Sequence, residues 1–505
     1  MNITSAKDFY GKKVLMIGLG LHGGGVSGAY WFFRQGAEVI ISDMKTRPQL
    51  EPSIARLTAL CNTFRLAHPT ARLFSLEYIL GKHRQEDVMR ADIIIQNPGV
   101  PRELPLLALA RERGVPIHND ASIFFSLTRG IPVIGVTGTR GKTTTILLIS
   151  ELLKKKYPKT LVAGHATHEG AVSFFSILDK ACEQSRTGIK APVVLELSSW
   201  QLELLAEHHM SPLVAVVTNV YPDHLNRYES MLEYGEAKKG IYRFQDSMWH
   251  DGGVVLNYDN PLTRAMGEEI EPQRQYWFSR TYARIQRGAF LKKEKTQKSK
   301  TFVTRSNDRD DEVCHCSDVP LKGEHNEENV LAALAVGMIF GVAPLAMKEF
   351  CVSIQGVPGR LEYMGSRNGR ALYNDTTSTS PDATRAALAT LGGRSKKIVL
   401  IAGGSDKGLD FSGMGCAIAR YCKALIMLSG TASPSIIKAA DTAGYAGVIA
   451  LANSMPEAVE KAWHASAKND IILLSPGAAS FGMFQHEFDR GNQFISEIER
   501  LEDCA

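Results

Sequence analysis

The chain has 505 residues, 44% hydrophobic and 22% charged, with a net charge of +5. That length exceeds one ordinary core and predicts two to four domains of globular composition, while so mild a charge gives no ground for a nucleic-acid partner. No apolar stretch is long enough to cross a bilayer, no signal-peptide pattern opens the sequence, and eight cysteines without a disulfide framework fit a reducing cytoplasm, the expected location.

In chain order, KKVLMIGLG is an apolar strand running into glycines, YWFFRQGA is helix-like, and EVIISD and ADIIIQNPG are further buried strands. Alternating strands and helices predict an α/β fold with a parallel, doubly wound sheet over residues 1–128. A second α/β segment spans 129–356, with PVIGVTG, PVVLELS, LVAVVTNV and GGVVLNYDN apolar enough to be buried on both faces. Within it, the charged stretch 284–312 reads as a solvated hairpin or loop, and its lysines at 292–300 as a wet surface. Cys314-His315-Cys316 lacks a second ligand pair, so no zinc site is expected there. A third segment, 357–505, repeats the pattern with KKIVLIAGG, ALIMLSG, GVIALA and DIILLSPG.

Four polar clusters sit at predicted strand ends. Gly18-Leu19-Gly20-Leu21-His22-Gly23 fits the dinucleotide fingerprint, with Asp43 ending the second strand. Val136–Thr145 reads VTGTRGKTTT between a strand and the helical run ILLISELLKK. It has the context of a phosphate loop but not the usual glycine spacing. Backbone N–H groups freed by glycines can converge on phosphate there, aided by the helix N-terminus. Lys142 would add a point charge and Thr143 a hydroxyl ligand for Mg²⁺. Glu196, closing an apolar strand, supplies the acidic partner such a metal needs, and Asp223-His224 follows a third strand at the same predicted edge. Two nucleotide sites leave a choice: a dehydrogenase joined to an NTPase, or a first domain that binds the nucleotide part of a substrate.

In this order, VTGTRGKTTT, ELSSWQLE, TNVYPDHLNRY, GVPGRLE and IAGGSDKGLDF resemble the Mur ligases over nearly the whole chain. The family loop has the pattern G-x-T-G-T-x-G-K-[ST]-[ST], which accounts for the spacing. ELSSWQLE, NDTTST and SPGAASF are most similar to its glutamate-adding branch. The resemblance implies three domains: a Rossmann-like UDP-substrate domain, a central ATP-binding domain and a Rossmann-like glutamate-binding domain. It implies an ATP-dependent amide ligase that adds glutamate, D-glutamate being expected, to UDP-N-acetylmuramoyl-L-alanine through an acyl phosphate in peptidoglycan precursor synthesis.

By the same resemblance, Gly138, Thr139, Arg140, Gly141, Lys142, Thr143 and Thr144 cradle ATP, with Asn329 near adenine and Arg360 and Asp375 reaching phosphate and ribose. Thr143 and Glu196 hold one Mg²⁺; His224 and Lys238, the latter as a carbamate, serve a second, and Lys142, His224 and Lys238 form the catalytic set. Gly18, Leu19, Gly20, His22, Gly23, Asp43 and Asn97 bind the UDP-substrate, and Thr379, Lys407, Ser480 and Phe488 the glutamate. Spacing alone leaves Lys238 open as a plain surface lysine. A monomer with no membrane partner is expected. Three departures stand out: Thr377 replaces the family's lysine, GHATHEG at 164–170 lacks its asparagine, and His22 replaces a small hydroxyl residue. A branch that takes L-glutamate and also lacks the lysine, another amino-acid ligase of the family, and a nucleotide-binding scaffold without turnover remain the alternatives.

Overall fold

The computed structural model describes residues 3–167, 170–223, 227–245, 252–281, 285–293, 299–307, 309–354, 356–393 and 395–501. Two compact units divide the chain. The first holds Met1–Ala166, Gly170–Val319 and Glu327–Val352, and the second Thr167–Glu169, Pro320–Asn326 and Ser353–Ala505.

The first unit contains two main sheets. Strands β1 (Lys13–Ile17), β2 (Glu38–Asp43), β3 (Leu76–Leu80), β4 (Ile93–Gln96) and β5 (Ile117–His118) are all parallel, in the order β3-β2-β1-β4-β5. The order reverses between β1 and β4, so the loops after these strands open a crevice at the sheet's C-terminal edge. Next come β6 (Val133–Thr137), β7 (Leu161–Ala163), the short paired strands β8 (His165–Thr167) and β9 (Gly170–Val172), and β10 (Val193–Glu196). After these follow β11 (Val214–Val217), β12 (Gly253–Asn257), β13 (Gln275–Ser279), β14 (Gly288–Lys293), β15 (Lys300–Ser306) and β16 (Arg309–His315). The large sheet runs β16-β15-β14-β13-β12-β11-β6-β10-β7, parallel from β7 to β14 and antiparallel across the last three. Val133 through Thr137 and Val214 through Val217 are buried throughout, as a sheet covered on both faces requires.

One expectation is corrected here. The described parts of 284–312 are not a solvated hairpin or loop: they form β14, β15 and the start of β16, which extend the central sheet. Ala289, Phe290, Leu291, Phe302 and Val303 are buried on it. On β14 and β15 the charges sit at the strand ends, Lys292 paired with Glu312 at 2.7 Å and Lys300 with Glu327 of the helix Glu324–Ile339 at 2.9 Å. Residues 294–298 of the lysine run lie outside the described residues. His315 Nδ1 lies 3.0 Å from Thr301 Oγ1.

The second unit is built on β17 (Glu362–Arg367), β18 (Arg370–Asn374), β19 (Ile398–Gly403), β20 (Cys422–Leu428), β21 (Val448–Ala452) and β22 (Ile471–Leu474). Their order is β17-β18-β22-β19-β20-β21, parallel except for the edge pair β17–β18. β18, β19 and β22 lie side by side, which brings the loops after them, at 375–379, 404–410 and 475–481, to one edge.

Within the first unit, Trp31 on the helix Gly24–Arg34 joins the two sheets' helical layers. It is buried against Phe9, Phe32 and Phe175, and its indole N–H donates to Asp179 at 2.8 Å. Trp31→Ala removes this aromatic cluster's centre and takes one donor from Asp179, which keeps its pairing with Arg34. It is expected to cost about 3–5 kcal/mol, read as a lowered urea midpoint for the first unit with the second unit unchanged.

Candidate active site

The phosphate loop is a crossing between β6 and the helix Lys142–Lys154. Gly138 (φ 144°) and Gly141 (φ 81°) both take left-handed backbone that L side chains avoid. Space also demands glycine. A Cβ on Gly138 would collide with Thr218 Oγ1, and one on Gly141 would come within 2.5 Å of Asn329 Oδ1. The loop is braced from β11's end: Asn219 accepts from Thr139 N through its carbonyl (3.0 Å) and from Arg140 N through Oδ1 (2.9 Å). Thr218 Oγ1 donates to the Arg140 carbonyl at 2.7 Å. From the other side, Asn329 Oδ1 accepts from Thr145 Oγ1 at 3.1 Å. Asn329 is thus a buried brace behind the loop, a role that its expected place near adenine did not include.

At the loop's mouth, Lys142 Nζ donates to the carbonyls of Gly138 (3.2 Å) and Thr139 (3.4 Å). Thr143 Oγ1 donates to Glu196 Oε2 at 2.7 Å. The sequence-predicted hydroxyl and carboxylate therefore meet, because β10 lies beside β6 and ends level with it. A hydroxyl and a carboxylate side by side form the hard oxygen donor set that Mg²⁺ takes.

Lys238 is not a surface lysine. It is 1% exposed on the helix Met231–Lys239, with Nζ 4.4 Å from the Tyr234 ring centroid. Burial, and then the Lys142 ammonium, push its pKa down to about 7, against a pull upward from Asp223. A buried amine near neutrality is a nucleophile rather than a point charge. Tyr234, which sequence reasoning passed over, also reaches the loop, its hydroxyl 3.4 Å from Thr139 Oγ1. Thr139 Oγ1 accepts from Tyr221 N at 3.0 Å. His224 lies outside the described residues.

In the first sheet, Gly18, Gly20 and Gly23 all have positive φ, and Gly23 caps the helix that follows. Asp43 Oδ2 accepts from Leu19 N (2.9 Å) and Gly20 N (3.1 Å), and Oδ1 from Lys45 N (2.8 Å). Asp43, expected among the UDP-substrate residues, is thus 6% exposed with its carboxylate engaged by its own loop. Asn97 donates its amide to the Gly18 carbonyl, and Ser53 its hydroxyl to that of Gly20 at 2.7 Å. His22 is exposed on the loop.

In the second unit, Asp375 is buried, and its carboxylate accepts from Ser378 Oγ (2.5 Å), Ser475 Oγ (2.7 Å) and Leu361 N (3.0 Å). Burial raises its pKa to about 6. Its first task is to hold Leu361, a non-glycine residue at φ 47°, and so to fix the turn that carries Arg360. Thr377, where the family has lysine, clasps the same turn: its hydroxyl donates to the Gly359 carbonyl at 2.8 Å and its N–H at 3.1 Å. Ser480 is 3% exposed and Phe488 8% exposed; Thr379 is half-buried and Lys407 exposed. Arg490, absent from the sequence reading, is fully buried. It donates to the Thr376 carbonyl (2.8 Å), the Thr376 hydroxyl (3.2 Å) and the Ala478 carbonyl (3.3 Å). Burial lowers its pKa to about 10.

Asn219 gives a direct test of the loop's bracing. Asn219→Ala removes two side-chain hydrogen bonds to Arg140, together about 1–3 kcal/mol. Nucleoside triphosphate affinity, measured by calorimetry, is expected to fall about tenfold or more, with the melting temperature changed by only a few degrees.

Comparison with known proteins matches three family models along the chain: a MurD-like N-terminal domain of Mur ligases over residues 12–119, the Mur ligase middle domain over 136–337, and the Mur ligase glutamate ligase domain over 359–478. A protein of Roseiflexus sp. (strain RS-1) named UDP-N-acetylmuramoylalanine--D-glutamate ligase is 38% identical, across 97% of this chain and 98% of its own. One of the same name from Symbiobacterium thermophilum is 37% identical across 91% and 96%. Among solved structures, the MurC ligase of Thermotoga maritima superposes with a TM-score of 0.61 at 20% identity over 98% and 100% of the two chains, a likeness of fold. With three domain models in register and relatives alike from end to end, the chain belongs to the Mur ligase family.

Proposed function

We propose that this protein is an ATP-dependent ligase that joins D-glutamate to UDP-N-acetylmuramoyl-L-alanine, in the synthesis of peptidoglycan precursors. The observation that carries the reading is the meeting of Thr143 with Glu196 at the mouth of a glycine loop, beside a buried Lys238. The name shared by the full-length relatives supports the substrate pair. The γ-phosphoryl group passes from ATP to the alanine carboxylate, giving an acyl phosphate and ADP. The glutamate amine then attacks the carbonyl carbon, and phosphate leaves with the amide bond formed. Two anions must be brought together in the first step. The N-terminus of the helix Lys142–Lys154 and the Lys142 ammonium suit that task.

Thr143 and Glu196 would hold one Mg²⁺, which supplies charge neutralisation between the phosphates. Lys238, whose lowered pKa leaves a large share of the amine uncharged at neutral pH, suits reaction with CO₂ to a carbamate, whose oxygens, with His224, would serve a second ion. The Gly18–Gly23 loop with Asp43 and Asn97 takes the UDP moiety. Arg360, Asp375 and Asn329 serve the ATP site, and Thr379, Lys407, Ser480 and Phe488 the amino acid. The domain limits 1–128, 129–356 and 357–505, a monomeric state and a cytoplasmic location belong to the same proposal.

Phosphate release with UDP-N-acetylmuramoyl-L-alanine and each glutamate enantiomer tests it. Turnover with the D form is expected, turnover with the L form alone would assign the chain to the L-glutamate branch, and none with either would refute a ligase. Lys142→Ala is expected to abolish ligation in a folded protein, as judged by circular dichroism and melting. In CO₂-stripped buffer the rate should drop several-fold and return on adding bicarbonate; a rate indifferent to CO₂ would remove the carbamate.

A further inference from the structure

One buried ionic contact joins the elements that carry these groups, and none of the roles above uses it. Glu203 lies on the helix Ser199–Glu207, whose first turn is closed by the reciprocal Ser198–Gln201 cap. Its Oε2 accepts from Arg227 Nη2 at 3.0 Å, and its Oε1 from the Tyr228 hydroxyl at 2.7 Å. The Glu203 and Arg227 side chains are only 12% and 15% exposed, and Tyr228 is buried. Arg227 also lies over the Trp200 ring, 4.9 Å from its centroid. An exposed ion pair fixes little. A shielded carboxylate with a charged donor on one oxygen and a phenol on the other is held in one geometry.

The contact leads inward. The Tyr228 ring meets Tyr234 with centroids 5.2 Å apart. Tyr234 in turn sits under Lys238 and reaches Thr139 of the phosphate loop. We propose that Glu203 is a positioning residue: through Tyr228 it seats Tyr234, and so sets Lys238 and the outer edge of the phosphate loop relative to each other. The inference rests on the proposed ligase reading for its kinetic consequence. The opposite side of the loop is braced separately by Thr218, Asn219 and Asn329, so nucleotide affinity does not depend on the Glu203 contact. Loss of the contact therefore acts on turnover, since small displacements of reacting groups slow chemistry more than they weaken binding.

Two conservative variants of the full chain test this. Tyr228→Phe deletes only the hydroxyl, and Glu203→Gln keeps the shape and an acceptor but loses the charge. Each is expected to lower kcat about tenfold while the KM values for ATP and UDP-substrate stay within about twofold. The double variant should be no slower than the slower single, because both act along one path. Unchanged kcat, or KM rising in step with kcat loss, would overturn the proposal. A second readout does not depend on ligase activity. In protein labelled with 3-fluorotyrosine, the ¹⁹F resonance of Tyr234, assigned with Tyr234→Phe, should shift in Glu203→Gln. A resonance that stays put would overturn the inference even if the wild-type chain fails to ligate, an outcome that would by itself refute the functional reading.

Discussion

A strip of backbone with no room for side chains governs the first unit. Gly138 and Gly141 are pressed between Thr218 on one side and Asn329 on the other, and each is held in left-handed backbone. The sheet order follows usefully from that need. β6 carries the loop, β11 on one flank ends in the residues that brace it, and β10 on the other flank ends in Glu196. Parallel strands ending level at one edge bring a brace, a cradle and an acidic group within a few ångströms without any long loop.

Much of this was legible in the sequence because glycine, lysine and carboxylate at strand ends have few structural excuses. β6, β10, β11 and β12 fall where apolar runs placed them, and Thr143 and Glu196 do meet. What periodicity could not reveal is which polar groups turn inward. Asp43 and Asp375 look like free acceptors at strand ends, yet each is consumed by nearby N–H or hydroxyl donors. Lys238 sits beside Lys239 in the sequence, and only the packing of its helix separates a buried amine from its neighbour, which pairs with Glu236 and Glu269. The stretch 284–312 misled because its buried runs, Gly288–Leu291 and Thr301–Thr304, are short and flanked by dense charge.

The electrostatics of the two units contrast. In the first, burial brings a lysine toward neutrality beside a second lysine. In the second, burial raises an aspartate toward neutrality while an arginine stays ionised nearby. Both shifts come first from burial, which disfavours the charged form; a second lysine adds to it at Lys238, and hydrogen bonds to the carboxylate oppose it at Asp375.

Arg490 has a consequence for how this chain tolerates change. Among the described residues it has no carboxylate within ion-pair distance; its planar fork instead spans Thr376 and Ala478, which belong to different loops. A lysine offers one compact donor centre and cannot span both. A neutral residue leaves two buried carbonyls unpaired. No single substitution step leads away from this arginine without first loosening one loop from the other, so the position behaves as an evolutionary ratchet. Positions such as Val448 and Leu451 on β21, which stand in solvent, carry no such constraint.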